Sequence, residues 1–380
     1  MVSGALAFLV LLVLAVGAWE VQRLVGRRLL LLEGIGVLGL GVAAGSHGLA
    51  ILPEDLVRSL HPVVLVGIAW LGLLYGLQID LRVIRRLRPW HRWTGLLLPL
   101  LPAAAAGLTV LGAGGDPGRA LLVGAVAAIA SPRLAELVLE GRRPADRGLV
   151  RLLRVVMAFS GIPAVALLAG GTVLLAPDGV PRLPGLAGAL ALGLACGFAL
   201  DRLGAGERHD IRLMILLLGA VALAGGGAVA AGHSPVLPAA IAGAVVINRS
   251  PSHHRLLRAA HGLESPLYVA LLVLIGASWS PHRLDLAALA ALTVARAAGW
   301  LAAGTALGRV AASNGVVVAT RFAGLGWLPQ GPLAMGLLLA ASGLLPGSAG
   351  LLEAGVLAII LNHVAGHAWA SRTLPARGTP

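Results

Sequence analysis

Lysine does not occur in this chain of 380 residues, so its 29 basic side chains other than histidine are all arginine and keep their charge at any physiological pH. One cysteine, Cys196, excludes an intramolecular disulfide and any cysteine-cluster metal centre. Acidic residues number only 16, and most fall between apolar runs. Glu33, Glu136 and Glu353 lie nearest to the depth of the apolar runs, and Asp80 closes one of them. Phosphate-binding glycine loops, nucleophile triads and dinucleotide fingerprints are all missing, so no enzyme class is indicated and no cofactor is expected. The glycines of GIGVLGLGVAAG are spaced instead like small-residue contacts between membrane helices.

What the chain does have is apolar length. Hydrophobic residues make up 58% of it, and its runs repeatedly reach the ~20 residues that cross a hydrocarbon core. The expected fold class is therefore an all-α polytopic membrane protein of about 13 transmembrane helices. The first expected span, 3–19, has no basic residue before it and reads as a retained helix rather than a cleaved signal. Later ones include 62–79, 119–139, 150–175, 235–248, 265–280, 285–308, 324–345 and 351–371. Residues 1–373 read as one transmembrane domain, and 374–380 as a short tail.

The net charge of +13 would suit a nucleic acid, but the arginines sit in short loops, where they set topology. A lipid bilayer, not nucleic acid, is the expected partner. Loops after odd-numbered spans hold clusters such as Arg82, Arg85, Arg86, Arg88 and Arg92, or Arg142, Arg143 and Arg147. Loops after even-numbered spans hold only Arg58, Arg119, Arg182 and Arg283. The positive-inside rule then places a multi-pass chain in a cell membrane with its N-terminus outside and its C-terminus in the cytoplasm.

Three spans carry helix-breaking residues at depth. In the sixth, Ser160, Gly161 and Pro163 lie about as deep as the break in the fifth, so the fifth and sixth are expected to be interrupted helices meeting at mid-membrane. The twelfth is interrupted as well. Pro132 falls inside the fifth, after Ser131, and Pro329, Gln330, Gly331 and Pro332 fall inside the twelfth. Proline removes an amide donor and clashes with the preceding turn, so both helices are expected to break there. Spans seven apart run in opposite senses, which makes the halves inverted repeats with two broken, crossing helices. At about 1.5 Å per residue, Ser131, Ser160, Arg296 and His363 lie near mid-membrane and Gln330 somewhat nearer the cytoplasm.

Arg296 is the strongest signal, because a central arginine costs at least ~2.5–3.5 kcal/mol to insert and must face the interior. It reads either as a substrate-binding group or as a structural arginine that snorkels or caps the carbonyl end of a broken helix. Ser131, Ser160, Gly161, Arg296 and Gln330 form the candidate ion site around one cavity, with Pro132, Pro329 and Gly331 as the helix breaks. Glu136 reads first as a local partner of Arg133 or Arg143 and second as a proton carrier. His363 and His367, four apart on one helical face, read as proton carriers or as interhelical hydrogen-bonding groups, not as a metal site.

Most of the chain resembles the membrane domain of monovalent cation/proton antiporters, the sodium/hydrogen exchanger superfamily, and especially its potassium-efflux-like branch. The matching pieces are GVLGLGVAAGSHGL, WLGLLYGLQIDLRVIRR, VGAVAAIASPRLAELVLE, LPAAIAGAVVINRSPSHHR and Arg296. The resemblance implies inverted repeats, a core domain moving against a dimerisation domain, a homodimer, and exchange of sodium or potassium for protons by alternating access. In one place the chain departs from the pattern: where the family carries paired carboxylates or Asn-Asp in its sixth helix, Ser160 and Gly161 stand here. Serine does not change charge at physiological pH. Exchange is therefore expected to be weak, and Ser160→Asp with Gly161→Asp is expected to raise it. The alternative expectation is a non-exchanging relative that binds an anion or has a structural or regulatory role.

Overall fold

The computed structural model describes residues 9–17, 20, 34–131, 147–175, 183–207, 209–280, 284–315, 323–344 and 350–373. These residues are nearly all helical, as the long apolar runs require where the backbone has no water to bond. Among the described residues, seven helices are long and apolar enough to cross a membrane, and four shorter apolar helices accompany them. Pro132 and Glu136, with the arginines beside Glu136 and the tail 374–380, lie outside the described residues.

The main helices are α1 (Ile35–Ala44), α2 (His61–Gly76), α3 (Leu100–Gly112), α4 (Pro117–Ala128), α5 (Arg147–Leu174) and α6 (Leu183–Gly204). They continue with α7 (Asp210–Ala230), α8 (Val236–Arg249), α9 (His253–Ser278), α10 (Arg296–Ser313), α11 (Pro332–Leu344) and α12 (Leu351–Thr373). Several of the scarce acidic residues serve as helix caps. Asp116 accepts from the Arg119 amide at 2.9 Å to start α4, and Asp285 accepts from the Ala288 amide at 3.0 Å to start Leu286–Ala290. Arg119 is also ion-paired with Asp285, tying the two starts together.

One boundary differs from the sequence expectation. The tenth span begins at His253 rather than 265, because Pro266 lies inside a continuous helix instead of opening one. Membrane helices tolerate an internal proline when neighbours satisfy the freed carbonyl. The eleventh span also departs from regular winding. Residues Ala291–Ala295 form a π-helical turn between Leu286–Ala290 and α10.

The helices pack as two bundles. One contains α1, α2, α6, α7, α8 and α9; the other contains α3, α4, α5, α10, α11 and α12. The bundles meet chiefly where α2 lies against α11. Within the first, α2 and α8 approach so closely that a Cβ at Gly243 would strike the α2 backbone.

Beyond that crossing, Asn248 fastens α8 to the loop after α2. Its amide donates to the carbonyls of Ile79 at 2.8 Å and Ala244 at 2.7 Å, and its oxygen accepts from the Leu81 amide at 2.8 Å. Arg82 adds a bond to the Ile247 carbonyl at 3.0 Å and pairs with Asp80. The GLQIDL and VVINR segments are thus a clamp between the third and ninth spans. Asn248→Ala strands backbone groups on both sides, and a loss of about 1–3 kcal/mol is expected. A lowered thermal midpoint in detergent checks it; an unchanged midpoint would mean the clamp carries no stability.

Candidate functional site

In α4 regular winding stops at Ala128. Ile129 is extended, and the chain stays non-helical through Ser131. In the twelfth span a short 3-10 turn, Ala323–Trp327, gives way to non-helical residues 328–331 before α11 resumes at Pro332. The two unwound stretches touch: the Ser131 amide donates to the Pro329 carbonyl at 2.9 Å, and a Cβ at Gly331 would stand 2.6 Å from Ser131 Oγ. Glycine at 331 is what lets the strands pass.

Each broken helix leaves carbonyls that no later turn can satisfy. Arg296, fully buried, collects them. Its Nε donates to Ala127 at 3.0 Å, Nη1 to Leu328 at 2.8 Å, and Nη2 to Ile129 at 2.6 Å and Trp327 at 3.1 Å. The guanidinium also lies 5.9 Å from the centre of the Trp300 ring. A permanent positive charge thus sits where the negative ends of two half-helices converge. Of the two sequence readings, this geometry is that of the cap.

Gln330 works alongside it. Its Nε2 donates to the Val126 carbonyl at 2.8 Å, and its Oε1 accepts from Asn362 at 3.2 Å. Asn362 also donates to the Leu292 carbonyl at 2.8 Å, inside the π turn. Asn362 was not among the sequence candidates, whereas its neighbour His363 was. The asparagine is buried, and His363, one step round α12, is half-buried. His367 is on the same helix, with its side chain outside the described residues.

Ser160, on α5, accepts from the Ala130 amide at 3.2 Å and donates to the Met157 carbonyl at 2.8 Å. It therefore caps the other side of the same break. Gly161 packs against the ring of Tyr75 from α2, so closely that any Cβ would run into it. Tyr75 in turn donates to the Ala158 carbonyl at 3.3 Å.

Two cavities approach the crossing from opposite ends of α2. A wide one of about 1020 Å³ reaches from His61 to Ile68 and is bordered by His47, Glu54, His233 and Glu353. A small one of about 80 Å³ lies beyond Leu71, lined by Tyr75, Gln78, Ser131, Ser160, Gly161 and Glu264 among others. The five candidate residues are therefore not all on one wall. Ser131, Ser160 and Gly161 line the small cavity, while Arg296 and Gln330 stand behind the unwound strands and hold them. The reason is that their donors are already engaged by the freed carbonyls. Among the described residues no group of three or more metal-ligating side chains occurs.

Glu264 is the functional candidate that the sequence reading missed. It sits on α9, a short way before Pro266, in the stretch taken for a loop. The uninterrupted run HHRLLRAAHGLE, with its apolar positions at helical spacing, is the signal that could have placed it in the helix.

No family model matches the sequence, and no curated protein matches it. Among solved structures, the chain is similar to the sodium proton antiporter MjNhaP1 from Methanocaldococcus jannaschii at pH 8, with a TM-score of 0.70 and 14% identity over 97% of this chain and 98% of that one. It is likewise similar to the electron-microscopy structure of MjNhaP1, with a TM-score of 0.66 and 16% identity over 95% of each chain. At that identity the likeness is one of fold, and it extends over nearly the whole of both chains.

Proposed function

We propose that the chain is a secondary transporter of the cation/proton antiporter type, exchanging a monovalent cation such as sodium or potassium for protons by alternating access. The observation that carries this reading is the pair of unwound strands crossing between two cavities that reach in from opposite ends. Beside the crossing, Ser131 and Ser160 line the small cavity, and their hydroxyls can replace part of an ion's hydration shell. The two-bundle packing supports a motion of one bundle against the other, and the fold shared with a sodium proton antiporter supports the same class.

The arginine alternation supports an orientation with the N-terminus outside, so the wide cavity bordered by Glu54 opens to the exterior and the small one faces the cytoplasm. A homodimer and the potassium-efflux-like branch rest on the motif resemblance. The anion-binding alternative is not favoured, because four backbone carbonyls already engage the guanidinium of Arg296.

In proteoliposomes carrying an internal pH indicator, a pulse of sodium or potassium is expected to dissipate an imposed proton gradient beyond the rate of empty liposomes. No response to any monovalent cation would overturn the reading.

A further inference from the structure

Resting on the transport reading, we infer that Glu264 is the carboxylate that couples proton and cation in this chain, taking from α9 the part that Ser160 and Gly161 cannot play on α5. The small cavity beneath the crossing has Ser131 of the unwound stretch and Ser160 of helix α5 on one wall, contributed by the bundle of α4 and α5. On the facing wall stand Tyr75 and Gln78 after Leu71, and Glu264 from α9. Glu264 is the one acidic residue that lines it among the described residues.

The chemistry of these groups fits a partly dehydrated monovalent cation. At about 80 Å³ the cavity has room for an ion with one or two waters, each water taking about 30 Å³. Hydroxyls, an amide oxygen and a single carboxylate offer oxygen ligands with one negative charge. That charge offsets the field of the buried Arg296 behind the strands, whose own negative partners are only carbonyl dipoles. A second positive charge on the ion would have no counter-charge from this wall. When the carboxylate takes a proton, its charge and one of its lone pairs are lost, so proton and cation compete for the same group.

The bland alternative is a local ion pair. His261, one turn earlier on α9, places Nε2 at 3.8 Å from Glu264 Oε2. In that pair the histidine side chain is 39% exposed and the glutamate 12%, so the carboxylate is the member turned inward. Tyr75, from α2, is a second titratable group lining the cavity. From α4, α5 and α11 the cavity lining is made of hydroxyls, backbone and apolar side chains. The placement on two bundles also gives coupling a physical route. The charged wall and the hydroxyl wall belong to different bundles, so a shift of one against the other changes the ion's coordination.

The test uses the full-length wild type, Glu264→Gln, Glu264→Asp and His261→Ala, each checked for monodispersity and assayed in proteoliposomes. A second readout is the thermal stabilisation that sodium or potassium gives the purified protein across a pH series. Glu264→Gln is expected to fall to the exchange of empty liposomes and to lose the pH dependence of cation stabilisation. Glu264→Asp is expected to keep part of both, and His261→Ala to keep exchange. If Glu264→Gln is not recovered folded, Glu264→Asp decides: a displaced pH midpoint supports the assignment and an unmoved one overturns it. Exchange by Glu264→Gln at the wild-type rate overturns this inference and leaves the transport reading standing. So does loss of exchange with the pH-dependent stabilisation intact, which marks a structural carboxylate. A wild type with neither exchange nor cation stabilisation overturns both.

Discussion

Arg296→Ala is expected to abolish recovery of folded protein. The substitution strands the carbonyls of Ala127, Ile129, Trp327 and Leu328 around a fully buried position. Each buried acceptor left unpaired costs about 1–3 kcal/mol. Four together reach the scale of a whole domain's net stability, about 5–15 kcal/mol. Arg296→Lys keeps the charge but offers three donors from a point rather than a planar fork, so partial recovery with a lowered thermal midpoint is expected. Size-exclusion profiles and thermal midpoints in detergent read both variants. An alanine variant that folds with the wild-type midpoint, yet loses exchange, would show that Arg296 serves the ion and not the backbone.

The second large effect concerns Gly161. Restoring a carboxylate there looked simple from the sequence, but the ring of Tyr75 already fills the space a side chain would need. Gly161→Asp alone is therefore expected to destabilise the protein by more than the about 1–3 kcal/mol typical of overpacking, since a charge is buried as well. The Ser160→Asp, Gly161→Asp pair inherits this clash and is not expected to raise flux by itself. Tyr75→Ala should relieve it. The double variant Tyr75→Ala, Gly161→Asp is expected to regain a thermal midpoint well above that of Gly161→Asp alone, a strong positive coupling in a double-mutant cycle. Additive effects of the two substitutions would show that the ring does not set the limit at this position.

Much of the architecture was legible because lipid imposes crude rules. Helix length and the need to satisfy the backbone internally show in a run of apolar residues, and winding does fail at 129–131 and 328–331 beside the expected prolines. The break expected at Ser160, Gly161 and Pro163 is absent, because α5 runs unbroken through Pro163 as membrane helices can. Arg296 stood out through the cost of its charge. The finer placement was hidden for local reasons. Pro266 imitated a helix start, which moved Glu264 into a supposed loop. The titratable His363 drew attention from Asn362, although one residue along a helix turns the side chain by about 100°. Tyr75 looked like one more apolar residue in an apolar run, and only the packing of α2 against α5 reveals that it occupies the room beside Gly161.

The π turn at Ala291–Ala295 has a bearing on how this chain is compared with others. A wide turn accommodates one residue more than regular winding would, so it acts as a phase shifter for everything that follows. Without that residue, α10 would enter rotated by about 100°, and the guanidinium of Arg296 would leave the four carbonyls it holds. Positions on the two sides of the turn therefore follow different helical clocks. A relative with a plain α-helix here would carry its buried cation one column away from Arg296. Matching the two chains by depth alone would pair an inward-facing residue with an outward-facing one.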